Sequence, residues 1–206
     1  MLKKFVATVT GVAAFTTGLG ACQGPPPTAE QVAKWKSATL YDMKVKTLDG
    51  KDADLKDYAG KVTLIVNVAS HCGYTNQYAA LQKLYDANKD KGLVILAFPS
   101  GDFGGQEFAD AKEIREFCDT KFHVTFPMFE KCGVKAGAKQ SIVFECLSAK
   151  TGELPGWNFG KYVVGRDGKT AVYFSSGVAP DDKKLMAAID AALAVEVVPP
   201  AAAPKS

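Results

Sequence analysis

Closely spaced cysteine pairs are missing from this chain. Its five cysteines, Cys22, Cys72, Cys118, Cys132 and Cys146, include no Cys-x-x-Cys, the spacing that favours dithiol exchange and structural zinc. Histidine is equally scarce, with two residues, His71 and His123, in the whole chain. No Cys/His cluster can be drawn, so neither a metal nor another cofactor is expected. An excess of charge of one sign is absent too: 25 Lys+Arg stand against 22 Asp+Glu, a formal net charge of +3. That balance gives no electrostatic footprint for nucleic acid. There is no internal repeat. What remains is 206 residues, 47% hydrophobic and 23% charged, enough for one globular domain with an ordinary core.

Long apolar runs are lacking as well, and the nearest approach to one is at the N-terminus. Lys3 and Lys4 precede a modestly apolar stretch, Phe5 to Gly18, interrupted by Thr and Gly. Such a run makes a poor spanning helix but a good export signal, here residues 1–21. Leu19-Gly20-Ala21-Cys22 resembles a bacterial lipobox, which makes Cys22 the expected site of lipidation. The protein is then expected to be exported to the periplasm and held on the membrane by that lipid. Removing residues 1–21 takes away Lys3 and Lys4 and no acid, leaving 23 basic against 22 acidic residues. Residues 22–38, with Pro25-Pro26-Pro27, read as a tether, 39–194 as the folded body, and the Val/Pro/Ala-rich 195–206 as a disordered tail.

Within the body, periodicities alternate. Tyr41 to Thr47 reads as a strand entering an Asp49-Gly50 turn, which opens an N-terminal β-hairpin. Val62 to Val68 and Leu93 to Phe98 are continuous apolar runs suited to strands buried on both faces. Between them Tyr78, Leu81, Leu84 and Tyr85 repeat at helical spacing up to Gly92. Asp110 and Glu113 have the form of a capping box for a helix through Ile114 and Phe117. A short strand at Phe126 to Phe129 and a helix at Ile142 to Leu147 follow. Tyr162–Val164 and Val172–Phe174 form a hairpin, and Leu185 to Leu193 a last helix. This order predicts an α/β fold, a thioredoxin-like sandwich.

Cys72 falls between the first buried strand and the following helix, where unpaired N–H groups favour the thiolate. Thr75 or Asn76 would cap that helix. A packed structural cysteine is the alternative from position alone. The segment Asn67-Val68-Ala69-Ser70-His71-Cys72-Gly73-Tyr74-Thr75 closely resembles the peroxidatic-cysteine motif of glutathione peroxidases. Pro99 to Glu107 (PSGDFGGQE) and Trp157-Asn158-Phe159 resemble that family's second and third motifs. The resemblance implies a catalytic set of Cys72, Gln106, Trp157 and Asn158. Amide and indole N–H groups would stabilise the sulfur anion and the departing alkoxide. Ser100-Gly101-Asp102 replace the family's usual Cys-Asn-Gln.

The same resemblance implies a cycle. Cys72 attacks a lipid, alkyl or hydrogen peroxide and becomes a sulfenic acid. Cys118 matches the resolving cysteine of thioredoxin-dependent members, so a Cys72–Cys118 disulfide reduced by a thioredoxin-like protein is expected. Cys118 also shares a helix face with Ile114 and Phe117, which is how an inert packed thiol would look. The chain lacks the insertion that builds tetramers in some relatives, and a monomer is expected. Cys132 and Cys146 are either a structural disulfide or separate packed thiols. His71 is a candidate for tuning Cys72, and Lys161 for attracting an anionic head group. The alternative to an enzyme is a non-catalytic redox sensor that passes its oxidation to a partner.

Overall fold

The computed structural model describes residues 25–196; the expected signal segment, Cys22 and nearly all of the C-terminal tail lie outside the described residues. The central element is a four-stranded sheet in the order β4-β3-β5-β6, built from β3 (Val62–Val68), β4 (Leu93–Pro99), β5 (Lys161–Val164) and β6 (Ala171–Phe174). β3 and β4 run parallel, with Val62 opposite Leu93, while β5 is antiparallel to both β3 and β6. β-Branched and aliphatic side chains fill both faces of β3 and β4, and every residue of these two strands is buried.

The two-residue strand period sorts those side chains into two cores. Leu64, Val66, Val68, Ile95 and Ala97 face one way, Ile65, Val94, Leu96 and Phe98 the other. Helices α2 (Gln77–Asn88), α3 (Ala111–Phe122) and α5 (Lys183–Ala194) supply Tyr78, Leu81, Ile114, Cys118, Leu185 and Ile189 to the first core. Helix α4 (Ile142–Thr151) supplies Val143, Phe144, Cys146 and Leu147 to the second. This is the thioredoxin-like α/β sandwich the sequence predicts, and the N-terminal hairpin is present as β1 (Lys44–Lys46) and β2 (Asp52–Asp54).

Three local expectations need correcting. The hairpin's first strand starts at Lys44, because Leu40–Asp42 winds into a 3-10 turn that buries Leu40 and Tyr41. Phe126 to Phe129 forms only isolated bridges, Met128 to Ala97 and Phe129 to Thr47; Pro127, just before them, has no N–H with which to extend a ladder. The segment read as a bare tether contains helix α1 (Ala29–Trp35), capped by a reciprocal Thr28–Gln31 box. It docks on α4 through Lys34 Nζ to Glu145 at 3.0 Å and through Lys150 Nζ, which donates to the carbonyls of Trp35 (3.2 Å) and Ala38 (2.7 Å).

Candidate active site

Cys72 lies on the turn that leaves the C-terminal end of β3. It is 8% exposed and joins the same apolar cluster as Cys118. The turn is tied by Thr75, whose Oγ1 accepts from Cys72 N at 3.0 Å and donates to Ala69 O at 2.9 Å. Thr75 therefore braces the cysteine turn and does not cap α2. Asn76 occupies the cap position but makes no side-chain cap bond. The helix begins only at Gln77, and the N–H aimed at the sulfur comes from within the turn: Tyr74 N donates to Cys72 Sγ at 3.4 Å.

Gln106 reaches the same corner through the loop that follows β4. Gly104 and Gly105 both have left-handed backbone, φ 70° and 64°. A Cβ on Gly104 would meet Gln106 Cγ at 3.3 Å and Trp157 Cη2 at 3.6 Å. Glycine here serves both demands, the positive φ and the close approach of two side chains. The loop is pinned to the cysteine turn twice: His71 N donates to Gln106 O at 2.9 Å, and Ser70 N donates to Glu107 Oε1 at 3.2 Å. Asp102, where the family pattern has a glutamine, anchors the loop's far side by accepting from Val134 N (2.6 Å) and Lys135 N (2.9 Å).

Trp157 and Asn158 come from the turn before β5. Asn158 is fully buried, and its Nδ2 donates to Gln106 Oε1 at 3.1 Å and to Phe103 O at 3.4 Å. Trp157 is 40% exposed and tilts over the Phe103 ring at 5.8 Å. Three segments far apart in sequence thus converge: Gln106 bonds to Asn158, both Gln106 and Trp157 border Gly104, the Gln106 loop is tied to the Cys72 turn through His71, and the 157–160 turn is tied to Asn67 of β3. Their side chains do not hydrogen-bond to the sulfur in this structure, where Tyr74 N is its one donor among the described residues. Because Asn158 occupies the Gln106 carbonyl, the Gln106 amide N–H groups are left to serve as donors.

The remaining candidates make no hydrogen bond to the sulfur. Cys118, in α3, is fully buried, and burial pushes its thiol up to about 11. The hydroxyl of Tyr78 lies beside it and finds no nitrogen or oxygen partner. Cys72, Cys118, Cys132 and Cys146 are all free thiols, so Cys132 and Cys146 are separate. Burial pushes Cys132 up to about 12 and Cys146 up to about 11. His71 packs its ring edge on Phe108 at 4.3 Å. Lys161 is fully buried and so cannot attract a head group from solvent; burial lowers its pKa to about 7, and Nζ donates to Phe159 O at 2.7 Å. No group of three or more His, Cys, Asp or Glu suited to a metal occurs among the described residues.

Two residues near the site went unnoticed in the sequence. Glu107 is buried, with Oε1 accepting from Ser70 N and Phe108 N while Oε2 has no partner. Asn67 is the one amide in the VTLIVNV strand, and that polar interruption of an apolar run was the available signal.

Comparison with known proteins places the chain in a family. The glutathione peroxidase family model matches residues 40–148, which hold Cys72, Gln106 and Cys118 but stop short of Trp157. A glutathione peroxidase-like peroxiredoxin of Chlamydomonas reinhardtii is 46% identical over 68% of this chain and 89% of its own length. A hydroperoxy fatty acid reductase of Synechocystis is 41% identical over 70% of this chain and 90% of its own. The crystal structure of Trgpx in apo form superposes with a TM-score of 0.61 at 32% identity, covering 76% of this chain and 97% of that one. With its fold, its motifs and relatives matched over nearly their full length, the chain belongs to the glutathione peroxidase family.

Proposed function

We propose that Cys72 is the peroxidatic nucleophile and that Gln106, Trp157 and Asn158 complete its site. As a glutathione peroxidase family member the chain is a thiol peroxidase, an oxidoreductase that reduces hydroperoxides. The observation that carries the site reading is the contact between the Gln106 loop and the Trp157–Asn158 turn, with Gln106 bonded to Asn158 at 3.1 Å and backbone-tied to His71. The Cys72 thiolate attacks the terminal peroxide oxygen and the O–O bond breaks. The departing alkoxide takes a proton to become an alcohol, and Cys72 is left as a sulfenic acid. Donors fixed before reaction stabilise the charge moving from sulfur to oxygen.

Cys118 is the resolving thiol. Its sulfur attacks the Cys72 sulfenic acid, water leaves, and a Cys72–Cys118 disulfide forms. A thioredoxin-like dithiol then reduces that disulfide by exchange. Burial of Cys118 within α3 supports a resolving step in which the helix opens, since a raised thiol pKa suppresses attack until the sulfur meets water. The exposed faces of Trp157 and Tyr74, each 40% exposed beside the cysteine turn, suit hydroperoxides on an acyl chain. The protein acts as a monomer, exported and held on the membrane by lipid on Cys22.

The deciding experiment is steady-state reduction of a fatty acid hydroperoxide by wild type, Cys72→Ser and Cys118→Ser, with thioredoxin and glutathione compared as donors. Cys72→Ser should be inactive, while Cys118→Ser should give one stoichiometric burst and stop. Sustained turnover of Cys118→Ser with thioredoxin overturns the resolving assignment. Oxidation of the wild type without turnover by either donor points instead to a redox relay.

A further inference from the structure

The turn that carries Trp157 and Asn158 is held from beneath by two buried polar side chains. Asn67, in the central strand β3, is fully buried. Its side-chain Nδ2 donates to Trp157 O at 3.0 Å, while its backbone carbonyl accepts from Phe159 N at 2.6 Å and its backbone N–H donates to Gly160 O at 3.3 Å. One residue thus grips three of the four residues 157–160. Lys161 begins β5 opposite Val66 and directs its side chain to the face that also holds Cys72. It is fully buried, makes no ion pair among the described residues, and closes the turn through Nζ to Phe159 O at 2.7 Å.

The backbone between these two anchors would not keep its shape unaided. Phe159 has φ 66°, a left-handed conformation that bulky side chains avoid. Gly160 fits where a Cβ would stand 2.9 Å from Pro155 Cβ and 3.0 Å from Asn67 Oδ1. Such conformations persist where surrounding bonds over-determine them. A lysine buried without a carboxylate is costly; an apolar side chain of equal length would fill its place at lower cost.

We infer that Asn67 and Lys161 are positioning residues for the peroxidatic site: they lock the 157–160 turn and thereby hold the Trp157 indole and the Asn158 amide against Gln106. The inference rests on the site reading proposed above for Trp157 and Asn158. Neither residue hydrogen-bonds to the sulfur, so each acts through the turn and not on the peroxide.

The test uses Lys161→Met and Asn67→Ala, each also made with Trp35→Phe so that Trp157 is the single fluorophore. Three quantities are read: thermal midpoint, the second-order rate of Cys72 oxidation by hydrogen peroxide, and acrylamide quenching of Trp157. Lys161→Met should melt no lower than wild type, yet oxidise Cys72 at least tenfold more slowly and expose Trp157 to quencher. Lys161→Gln, which keeps an N–H donor, should recover part of both losses. Asn67→Ala should show the same kinetic and quenching changes. Oxidation within twofold of wild type, with unchanged quenching in both variants, overturns the inference. Should Lys161→Met fail to fold, Lys161→Gln and Asn67→Ala decide by the same two readings. Trp157→Phe and Asn158→Ala separate the two levels. If they leave Cys72 oxidation unchanged, the site reading has failed, while quenching in the Lys161 and Asn67 variants still reports whether the turn is held.

Discussion

At the scale of single residues, two buried ionisable groups lie close to the site and titrate in opposite senses. Burial lowers the Lys161 pKa from 10.5 to about 7, so over that window the unfolded chain binds the proton more readily than the folded one. Stability from this residue therefore falls as pH drops from 10.5 towards 7 and changes no further below. Lys161→Met removes the dependence: the wild-type-minus-variant difference in unfolding free energy should rise with pH, at up to about 1.4 kcal/mol per pH unit. Denaturant titrations between pH 7 and 10 measure it. Glu107 behaves conversely. Burial raises its pKa above 4.5, so its contribution is greatest in acid and is lost as pH rises through the folded-state value. Glu107→Gln can still accept from Ser70 N and Phe108 N at Oε1. It should be more stable than wild type at pH 7, by about 1 kcal/mol, with the gap closing below pH 4.5.

Elements were more legible than these residues. The runs at 62–68 and 93–98, the helical spacing from Tyr78 and the Asp49-Gly50 turn all announce local periods that packing reinforces. The site is a different matter: its motifs could be found by resemblance, but nothing local says that Gly104 brings Gln106 to Trp157, or that Thr75 braces a turn instead of capping a helix. Those facts depend on contacts between distant segments. Lys161 was misread for the same reason, since a lone lysine in a short strand looks solvent-facing until both sheet faces are known to be covered. Helix α3 shows an element-scale consequence. It ends on His123 with φ 53°, a left-handed position where glycine carries no Cβ penalty. His123→Gly should stabilise the C-terminal turn around Cys118 by about 1 kcal/mol, the penalty that left-handed backbone imposes on a side chain. If resolution requires this helix to open, disulfide formation after a peroxide pulse should slow several-fold, while the initial oxidation of Cys72 is unchanged. Hydrogen exchange of residues 118–124 and stopped-flow trapping read the two effects separately.

For the molecule as a whole, helix α1 sets where the N-terminal segment meets the body. Residues 22–38 read in sequence as a tether, whose reach grows with every extended residue by about 3.3 Å. Helix α1 shortens seven of them to about 1.5 Å of rise each and binds them to α4, so among the described residues the N-terminal segment meets the body on the α4 face of the sheet, away from the core shared by Cys72 and Cys118. Docking rests on Lys150, whose ammonium holds the carbonyls of Trp35 and Ala38, and on Trp35, which packs against the second core; the partly exposed Lys34–Glu145 pair adds little in water. Lys150→Ala should therefore release α1 without unfolding the domain, at a cost of about 1–2 kcal/mol. Amide exchange in residues 29–38 should rise by an order of magnitude or more, with the exchange of β3 and β4 unaltered. Because the site draws nothing from α1, turnover of soluble hydrogen peroxide should stay at the wild-type rate. In the lipid-anchored form proposed above, placed on vesicles, the same substitution should change only turnover of hydroperoxides embedded in the bilayer, since the longer spacer alters how the Trp157 and Tyr74 face meets the membrane. Equal effects on both substrates would mean that α1 supports the catalytic body itself and does not set its reach.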